Sequence, residues 1–258
     1  MPASDQWDAL AEQFVERHYG SIRGQVRIYV IDRQLRAHLP PPPSALVDIG
    51  GGAGNQSLPL ARDGYQVTII DPSPAMLERA TARLAGEDGA VAGRVRLVQA
   101  TLEEALDAVG GQQFAGVLCH GVIMYVPDPG PFIAALASLA QRGGIVSLVA
   151  KNAKVLAVRP ALEGNWAEAL QSFDASHQVN GLGLDTRGDT LEDLTAILGD
   201  HGIERIAWYG VRLFTDGWVS RESAGNGHDG IFPVEYEASR RDPYRLLSRL
   251  FHVVGVRR

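Results

Sequence analysis

The chain has 258 residues, 45% of them hydrophobic, and a formal net charge of −6. This length accommodates one large domain with an insertion, and the acidic balance excludes a global basic field that would attract nucleic acid. The single cysteine, Cys119, excludes an intramolecular disulfide and fits a reducing compartment. With no long apolar run and no N-terminal signal pattern, the sequence predicts a soluble cytoplasmic protein.

The first 43 residues predict a helical prelude. Apolar residues recur at helical spacing early in the segment 5–38, and a second helical stretch follows between Val26 and Leu39. Four prolines, 40–43, form a stiff linker that ends the prelude. We expect residues 1–43 to form an N-terminal helical lid and residues 44–258 to form the main domain.

A strand, a glycine-rich turn and a second strand follow the prolines. The apolar stretch 46–49 carries Asp48 and continues into the turn 50–54, and the apolar run 67–70 ends in Asp71. This arrangement is typical of a nucleoside-binding half-unit. The glycines allow the backbone to approach a ligand closely, and Asp71 is placed to accept hydrogen bonds from ribose hydroxyls.

Strands and helices alternate from residue 44 to about 152, which predicts a parallel sheet covered on both faces. Ser73 is the expected N-cap of the helix after Asp71. The further strands of this part are expected at 97–100, 114–120 and 143–149.

The last hundred residues are less regular, with an inserted segment at about 153–190. We expect a helix over 156–173, a polar loop over 177–188, a Thr-capped helix over 190–200, a mobile loop over 220–230 and a helix over 235–248 with a break at Pro243. The segments 203–214 and 251–256 are expected to form the final antiparallel pair of strands.

The glycine-turn pattern resembles a known family. The spacing Asp48-x-Gly50-x-Gly52-x-Gly54 is similar to motif I of the class I S-adenosylmethionine-dependent methyltransferases, and Asp71 resembles their motif II acid. The resemblance implies an α/β fold with a Rossmann-like, doubly wound, seven-stranded sheet. It also implies S-adenosyl-L-methionine as the cofactor and no metal.

Other segments resemble one subfamily, the tRNA 5-carboxymethoxyuridine methyltransferases, which esterify the carboxylate of a modified wobble uridine. They are 7–14, 19–20, 24–27, 151–153, 164–166, 210–214 and 242–244. The resemblance therefore implies a role in tRNA processing.

By position, the resemblance implies that Arg27 binds the cofactor carboxylate, that Asp71 holds the ribose and that His120 lies close to the sulfonium. A guanidinium suits the first role because it offers a bidentate, permanently charged fork. The full set of candidate cofactor residues is Arg27, Asp48, Gly50, Gly51, Gly52, Asp71, Pro72, Thr101, Leu102 and His120.

A carboxylate acceptor is already ionised at neutral pH, so its methylation needs positioning groups and no general base. The candidates on the acceptor side are Tyr19, Tyr125, Lys151, Asn152 and Arg212. A hydroxyl acceptor would instead need a base, and His120 or His177 could serve.

The identity of the acceptor stays open at this stage. The loop 176–183 contains no lysine or arginine, which favours a small-molecule acceptor over tRNA, whereas the resemblance along the whole chain favours tRNA. A C-terminal group of arginines could form a phosphate-binding patch; it comprises Arg240, Arg241, Arg245, Arg249, Arg257 and Arg258. A third alternative is a cofactor-binding module without transferase activity, and the intact glycine turn and Asp71 argue against it.

Overall fold

A seven-stranded mixed sheet forms the centre of the computed structural model, which describes residues 20–217 and 230–258. The strand order is β3-β2-β1-β4-β5-β9-β8, and a separate hairpin is formed by β6 and β7. The strands are β1 (Ala45–Ile49), β2 (Gln66–Asp71), β3 (Val95–Gln99), β4 (Phe114–His120), β5 (Ala140–Lys151), β6 (His177–Val179), β7 (Asp185–Arg187), β8 (Ile203–Val211) and β9 (Leu250–Arg257).

The first five strands are parallel, and β9 lies antiparallel between β5 and β8. The strand order reverses between β1 and β4, the place where open α/β sheets bind ligands at the carboxyl ends of their strands. The glycine turn after β1, Asp71 at the end of β2 and His120 at the end of β4 therefore meet at one edge of the sheet.

Helices cover both faces of the sheet, as expected for a doubly wound fold. One apolar core joins the sheet to α5, α6 and α9, and another joins it to α1, α2 and α4. The helices are α1 (Ile22–Arg36), α2 (Ser57–Arg62), α3 (Pro74–Leu84), α4 (Gly89–Ala92), α5 (Leu102–Ala108), α6 (Pro129–Leu139), α7 (Val158–Leu162), α8 (Trp166–Ser172), α9 (Leu191–Asp200) and α10 (Ile231–Ala238).

Helix α1 packs on the sheet and brings the described part of the prelude into the domain. Ser21 caps it by accepting a hydrogen bond from the Gly24 amide at 3.2 Å, and Val26, Val30 and Leu35 are fully buried. Residues 1–19 lie outside the described residues, so the lid at 1–43 stays a prediction.

The capping predictions are confirmed. The Ser73 hydroxyl accepts from the Met76 amide at 3.2 Å, and the Thr190 hydroxyl accepts from the Asp193 amide at 3.0 Å. The antiparallel final pair, β8 and β9, is confirmed as well.

Two expectations after β5 were wrong in detail, and the break expected at Pro243 is confirmed. The helix at 156–173 is two short helices, separated where Gly164 adopts a φ of 76°. The polar loop at 177–188 is the hairpin β6–β7, and the expected helix at 235–248 is α10 followed by a 3₁₀ turn at Tyr244–Leu247. The expected loop at 220–230 lies almost wholly outside the described residues.

Candidate functional site

The glycine turn bends sharply around the carboxyl end of β1. Gly50 donates its amide to the carbonyl of Ile70 at 2.8 Å, which joins the turn to β2. Gly50 and Gly52 have φ angles of 66° and 54°, a region that side chains disfavour. A Cβ on Gly50 would lie 2.5 Å from Cγ2 of Val122, so the site has no room for a side chain there.

Asp71 ties the end of β2 to the glycine turn. Its Oδ2 accepts from the Gly52 amide at 2.9 Å, and its Oδ1 accepts from the Ser73 amide at 3.0 Å. A carboxylate oxygen can accept more than one hydrogen bond, so a carboxylate at this position suits the hydroxyl donors of a ribose. Asp71 is therefore positioned before any ligand arrives.

A pocket of about 740 Å³, part of it open to solvent, lies against these groups. We call it the nucleoside pocket; its lining residues are Ile49, Gly50, Ile70, Asp71, Pro72, Met76, Ala100, Leu102, His120, Gly121, Val122, Tyr125 and Phe132. The apolar walls suit a flat base, and the Asp71 carboxylate suits a ribose. The structure therefore offers a cradle that fits the adenosine part of S-adenosylmethionine.

A second, smaller cleft lies on the other side of His120, and we call it the Arg27 cleft. Its lining includes Arg27, Asp48, Gly50, Gly51 and His120. The Arg27 Nη2 donates to the carbonyl of His120 at 2.8 Å, so the guanidinium is held at the end of β4.

Asp48 is buried at the base of this cleft. Burial raises the pKa of its carboxyl to about 7, and the hydrogen bond from the Ser57 hydroxyl, at 2.6 Å, opposes that rise. A cationic group entering the cleft would favour the ionised carboxylate. The cleft thus offers one cation and one titrating acid, the complement of an amino-acid group.

A larger pocket of about 1600 Å³, including space open to solvent, opens above the nucleoside pocket. Gly121 and Tyr125 line both, so the two are contiguous there. Basic side chains from α1, β5, α7 and the loops next to β8 and β9 line this larger pocket: Arg23, Arg27, Lys151, Arg159, Arg212 and Arg249. We call it the cationic pocket; the acids on its wall are Glu163 and Glu168.

Arg212 and Arg249 form the most constrained part of the cationic pocket. Both guanidinium groups pair with Asp216, Arg249 at 3.8 Å. Arg212 Nε and Arg249 Nη1 are buried, and neither atom has a hydrogen-bond partner in the described part of the chain.

Arg212 also has a φ of 63°, an uncommon conformation for a residue with a side chain. Burial lowers the pKa of Arg249, and the nearby Arg212 and Arg159 lower it further while Asp216 opposes them. Strain and unused donors at one place are typical of a ligand site, here one for an anion.

Lys151, at the end of β5, is the third cation of interest. Its Nζ donates to Thr186 Oγ1 at 2.7 Å and to the carbonyl of Gln178 at 3.3 Å, both on the hairpin β6–β7. Burial and, after it, the charge of Arg249 lower the pKa of Lys151 to about 7. An anion in the pocket would therefore favour the protonated lysine.

Tyr125 lies where the two pockets meet, and its hydroxyl accepts a hydrogen bond from Asn180 at 3.1 Å. This contact joins the wall of the nucleoside pocket to the hairpin side of the cationic pocket. The predicted residues Tyr125, Lys151 and Arg212 are thus brought to one cavity.

Some predicted residues lie elsewhere. The side-chain Nδ2 of Asn152 donates to the carbonyls of Leu246 and Ser248. Asn152 lines neither the nucleoside pocket nor the cationic pocket, so we drop it from the set of acceptor residues. Thr101 is the N-cap of α5 and forms a capping box with Glu104, also outside the pocket walls. Gly52 lines neither smaller cavity, but its amide helps to position the nucleoside pocket by donating a hydrogen bond to Asp71. Tyr19 lies outside the described residues.

The sequence did not point to Arg23 or Arg159, and it placed Arg249 in a C-terminal patch. Of the other arginines in that group, Arg240 and Arg241 pair with Glu237, and Arg245 pairs with Asp242. Only the fold brings Arg23, Arg159 and Arg249 together, so no local sequence signal exists for the cationic pocket.

Within the described ranges, no cluster of acidic, histidine or cysteine side chains has the makings of a metal site. In the same ranges, no helix has the length and apolar character needed to span a membrane.

Comparisons with known proteins point in one direction. A family model described as a methyltransferase domain matches residues 47–146. The chain is 27% identical over 253 residues to the tRNA 5-carboxymethoxyuridine methyltransferase of Escherichia coli K12, covering 96% of this chain and 95% of that protein. It is 31% identical over 168 residues to the ubiquinone biosynthesis O-methyltransferase of Marinobacter nauticus, covering 58% and 69% respectively.

Solved structures share the fold. The magnesium protoporphyrin IX methyltransferase of Synechocystis PCC 6803, crystallised with bound SAH, superposes with a TM-score of 0.65. It is 18% identical, and the match covers 99% of this chain and 98% of that one.

Proposed function

This chain belongs to the class I S-adenosylmethionine-dependent methyltransferases, and we propose that it esterifies a carboxylate of its acceptor. The observation that carries the proposal is the pair of buried, unpartnered N–H groups of Arg212 and Arg249 in the cationic pocket. S-adenosylmethionine, when bound, supplies the methyl group from its sulfonium. The protein then has to hold the acceptor in line with that group.

The proposed cofactor contacts follow from the two smaller cavities. Asp71 accepts from the ribose hydroxyls, while Leu102 and its neighbours enclose the adenine. Arg27 binds the carboxylate of the methionine part, because its guanidinium is fixed at the end of β4 and lines the cleft beside the glycine turn.

A carboxylate is a competent nucleophile without help, since its pKa of about 4 leaves it ionised at neutral pH. What limits the reaction is alignment, so the acceptor needs a clamp that holds one oxygen and leaves the other exposed. Arg212 and Arg249 provide N–H donors of fixed direction, and Lys151 adds a third cation.

The electrostatics of His120 support a carboxylate acceptor. Burial keeps the pKa of the His120 imidazole well below its usual value, and the neighbouring His252 and Arg27 lower it further. Such an imidazole is a weak base at neutral pH and is poorly suited to deprotonating a hydroxyl.

We further propose that the carboxylate belongs to a modified tRNA uridine. The support is the likeness to the Escherichia coli tRNA 5-carboxymethoxyuridine methyltransferase, which extends over 96% of this chain. A hydroxyl of a small molecule is the second candidate, favoured by the 31% identity with the Marinobacter nauticus enzyme.

The test is to incubate the protein with labelled S-adenosylmethionine and either tRNA or a small-molecule extract, and to identify the labelled product by mass spectrometry. A methyl ester on a tRNA nucleoside supports the proposal, and a methyl ether on a small molecule supports the second candidate. The variant Arg212→Lys should lower product formation, because lysine keeps the charge and loses the fork. The matched control is Arg258→Lys, on an exposed arginine that pairs with Glu204 outside both pockets.

A further inference from the structure

A buried chain of polar side chains runs from helix α1 to the edge of the nucleoside pocket. It passes through β9, β5 and β4 in that order, along adjacent strands of the sheet. Its members are Gln34, His252, Ser147 and His120. A neutral histidine has one donor and one acceptor nitrogen, and a hydroxyl donates one proton, so fixing the direction of the hydrogen bond at one end fixes the others.

Gln34 sets the direction. Its Nε2 lies 3.0 Å from the carbonyl of Gly210, and a carbonyl can only accept, so the amide nitrogen must face it. The Oε1 of Gln34 is then the acceptor that lies 2.8 Å from His252 Nδ1. His252 must therefore carry its proton on Nδ1.

His252 is held neutral, since burial and, after it, the nearby His38 lower the pKa of its imidazole to about 3. A neutral ring with its proton on Nδ1 has an acceptor at Nε2, so Ser147 donates its hydroxyl proton across the 2.7 Å contact. The Ser147 oxygen then accepts from His120 Nε2 at 2.8 Å. His120 is consequently in the Nε2–H form, with a lone pair on Nδ1.

That lone pair has no partner among the residues that the structure describes, although the atom is buried. His120 lines both the nucleoside pocket and the Arg27 cleft, the two cavities that we propose hold the adenosine and methionine parts of the cofactor. We propose that the buried chain fixes the tautomer of His120, so that Nδ1 accepts a hydrogen bond from the α-ammonium group of the cofactor.

The arrangement divides the recognition of the amino-acid group between two side chains at the carboxyl end of β4. Arg27, on the same helix as Gln34, faces the carboxylate, while His120 faces the ammonium. Helix α1 thus contributes Arg27 directly and orients His120 through the buried chain of hydrogen bonds. Ser147, His252 and Gln34 are positioning residues, since none of them lines the nucleoside pocket or the Arg27 cleft.

The first test reads the tautomer directly. Long-range ¹⁵N–¹H correlation spectra of the ligand-free wild-type protein should show His120 with a protonated Nε2 and an unprotonated Nδ1, the signal being assigned by its loss in His120→Asn. A protonated Nδ1 on His120 would overturn the proposal, whatever the variants do.

The second test measures binding by calorimetry with two ligands: S-adenosylhomocysteine, and its analogue in which hydrogen replaces the α-amino group. Ser147→Ala removes the acceptor for His120 Nε2–H and allows the opposite tautomer. We expect it to weaken S-adenosylhomocysteine binding about tenfold, the scale of one hydrogen bond to a charged group. The analogue should bind both proteins equally well, and Ser147→Thr, which keeps the hydroxyl, should restore affinity.

If Ser147→Ala lost the same affinity for both ligands, the hydrogen-bonded chain of side chains would have a structural role only, which would contradict the proposal. Unchanged affinity for S-adenosylhomocysteine would contradict it as well. Neither test involves the methyl acceptor, so their outcome is independent of whether the enzyme esterifies a carboxylate.

Discussion

Replacing Asp71 with alanine tests how the nucleoside pocket binds its ligand. In the structure the carboxylate accepts from the amides of Gly52 and Ser73, at 2.9 and 3.0 Å, and Asp71 lines the nucleoside pocket. A hydrogen bond to a charged group contributes about 1.5–3 kcal/mol, and two on one carboxylate are not additive. Losing the ribose contacts should therefore cost about 2–3 kcal/mol, a reduction in affinity of roughly 30- to 150-fold.

The assay is calorimetric titration with S-adenosylhomocysteine, well below the unfolding temperature of the variant. A matched control is Ser73→Ala, which removes the hydroxyl that caps α3 and leaves Asp71 and the Ser73 amide in place. It should lower stability by about 1 kcal/mol and leave the affinity nearly unchanged. If Asp71→Ala kept wild-type affinity, the ribose role of this carboxylate would be refuted.

Three further predictions concern the acceptor clamp and the glycine turn. Arg249→Lys should raise the KM for the acceptor about tenfold and leave cofactor affinity unchanged in calorimetry. Arg258→Lys should behave as wild type, because Arg249 lines the cationic pocket with an unpartnered N–H, whereas Arg258 pairs with Glu204 outside it. The pKa of Lys151 is lowered to about 7, so the lysine is charged below that pH and neutral above it. Because the charged form binds a carboxylate, kcat/KM for a carboxylate acceptor should fall as the pH rises through 7. Lys151→Arg should remove that fall, since arginine stays charged. Gly50→Ala should abolish measurable cofactor binding, since its Cβ would meet Val122 at 2.5 Å, whereas Gly110→Ala, with a similar φ of 67° and open space around it, should only lower the melting temperature.

The sequence predicts the sheet well because its signals are local. An apolar run that ends in Asp48 or Asp71 beside glycines has few structural interpretations, and the caps Ser73 and Thr190 depend on neighbours three residues away. The α/β fold and the order of its elements are accordingly confirmed.

The segment after β5 was harder to predict, because its strands are three residues long and largely polar. The hairpin gains its order from contacts beyond its own sequence, such as the bond from Lys151 to Thr186. No alternation of apolar and polar residues could have indicated it.

The cationic pocket shows a second limit of prediction from the sequence. Arg23 comes from α1, Arg159 from α7 and Arg249 from just before β9, so their proximity is a property of the tertiary fold. The loop 176–183 lacks basic residues, which in the sequence favours a small-molecule acceptor over tRNA. In the structure, its residues share a cavity with cations that other elements supply.

The proposal that a carboxylate is the acceptor can be tested most directly through the chemistry of the product bond. After transfer of a labelled methyl group to the acceptor fraction, the product should be treated with mild aqueous base. A methyl ester releases its label as methanol under these conditions, whereas methyl ethers and methylamines retain it. Complete release of the label is the result expected from the clamp formed by Arg212 and Arg249; a label that survives the treatment would contradict it.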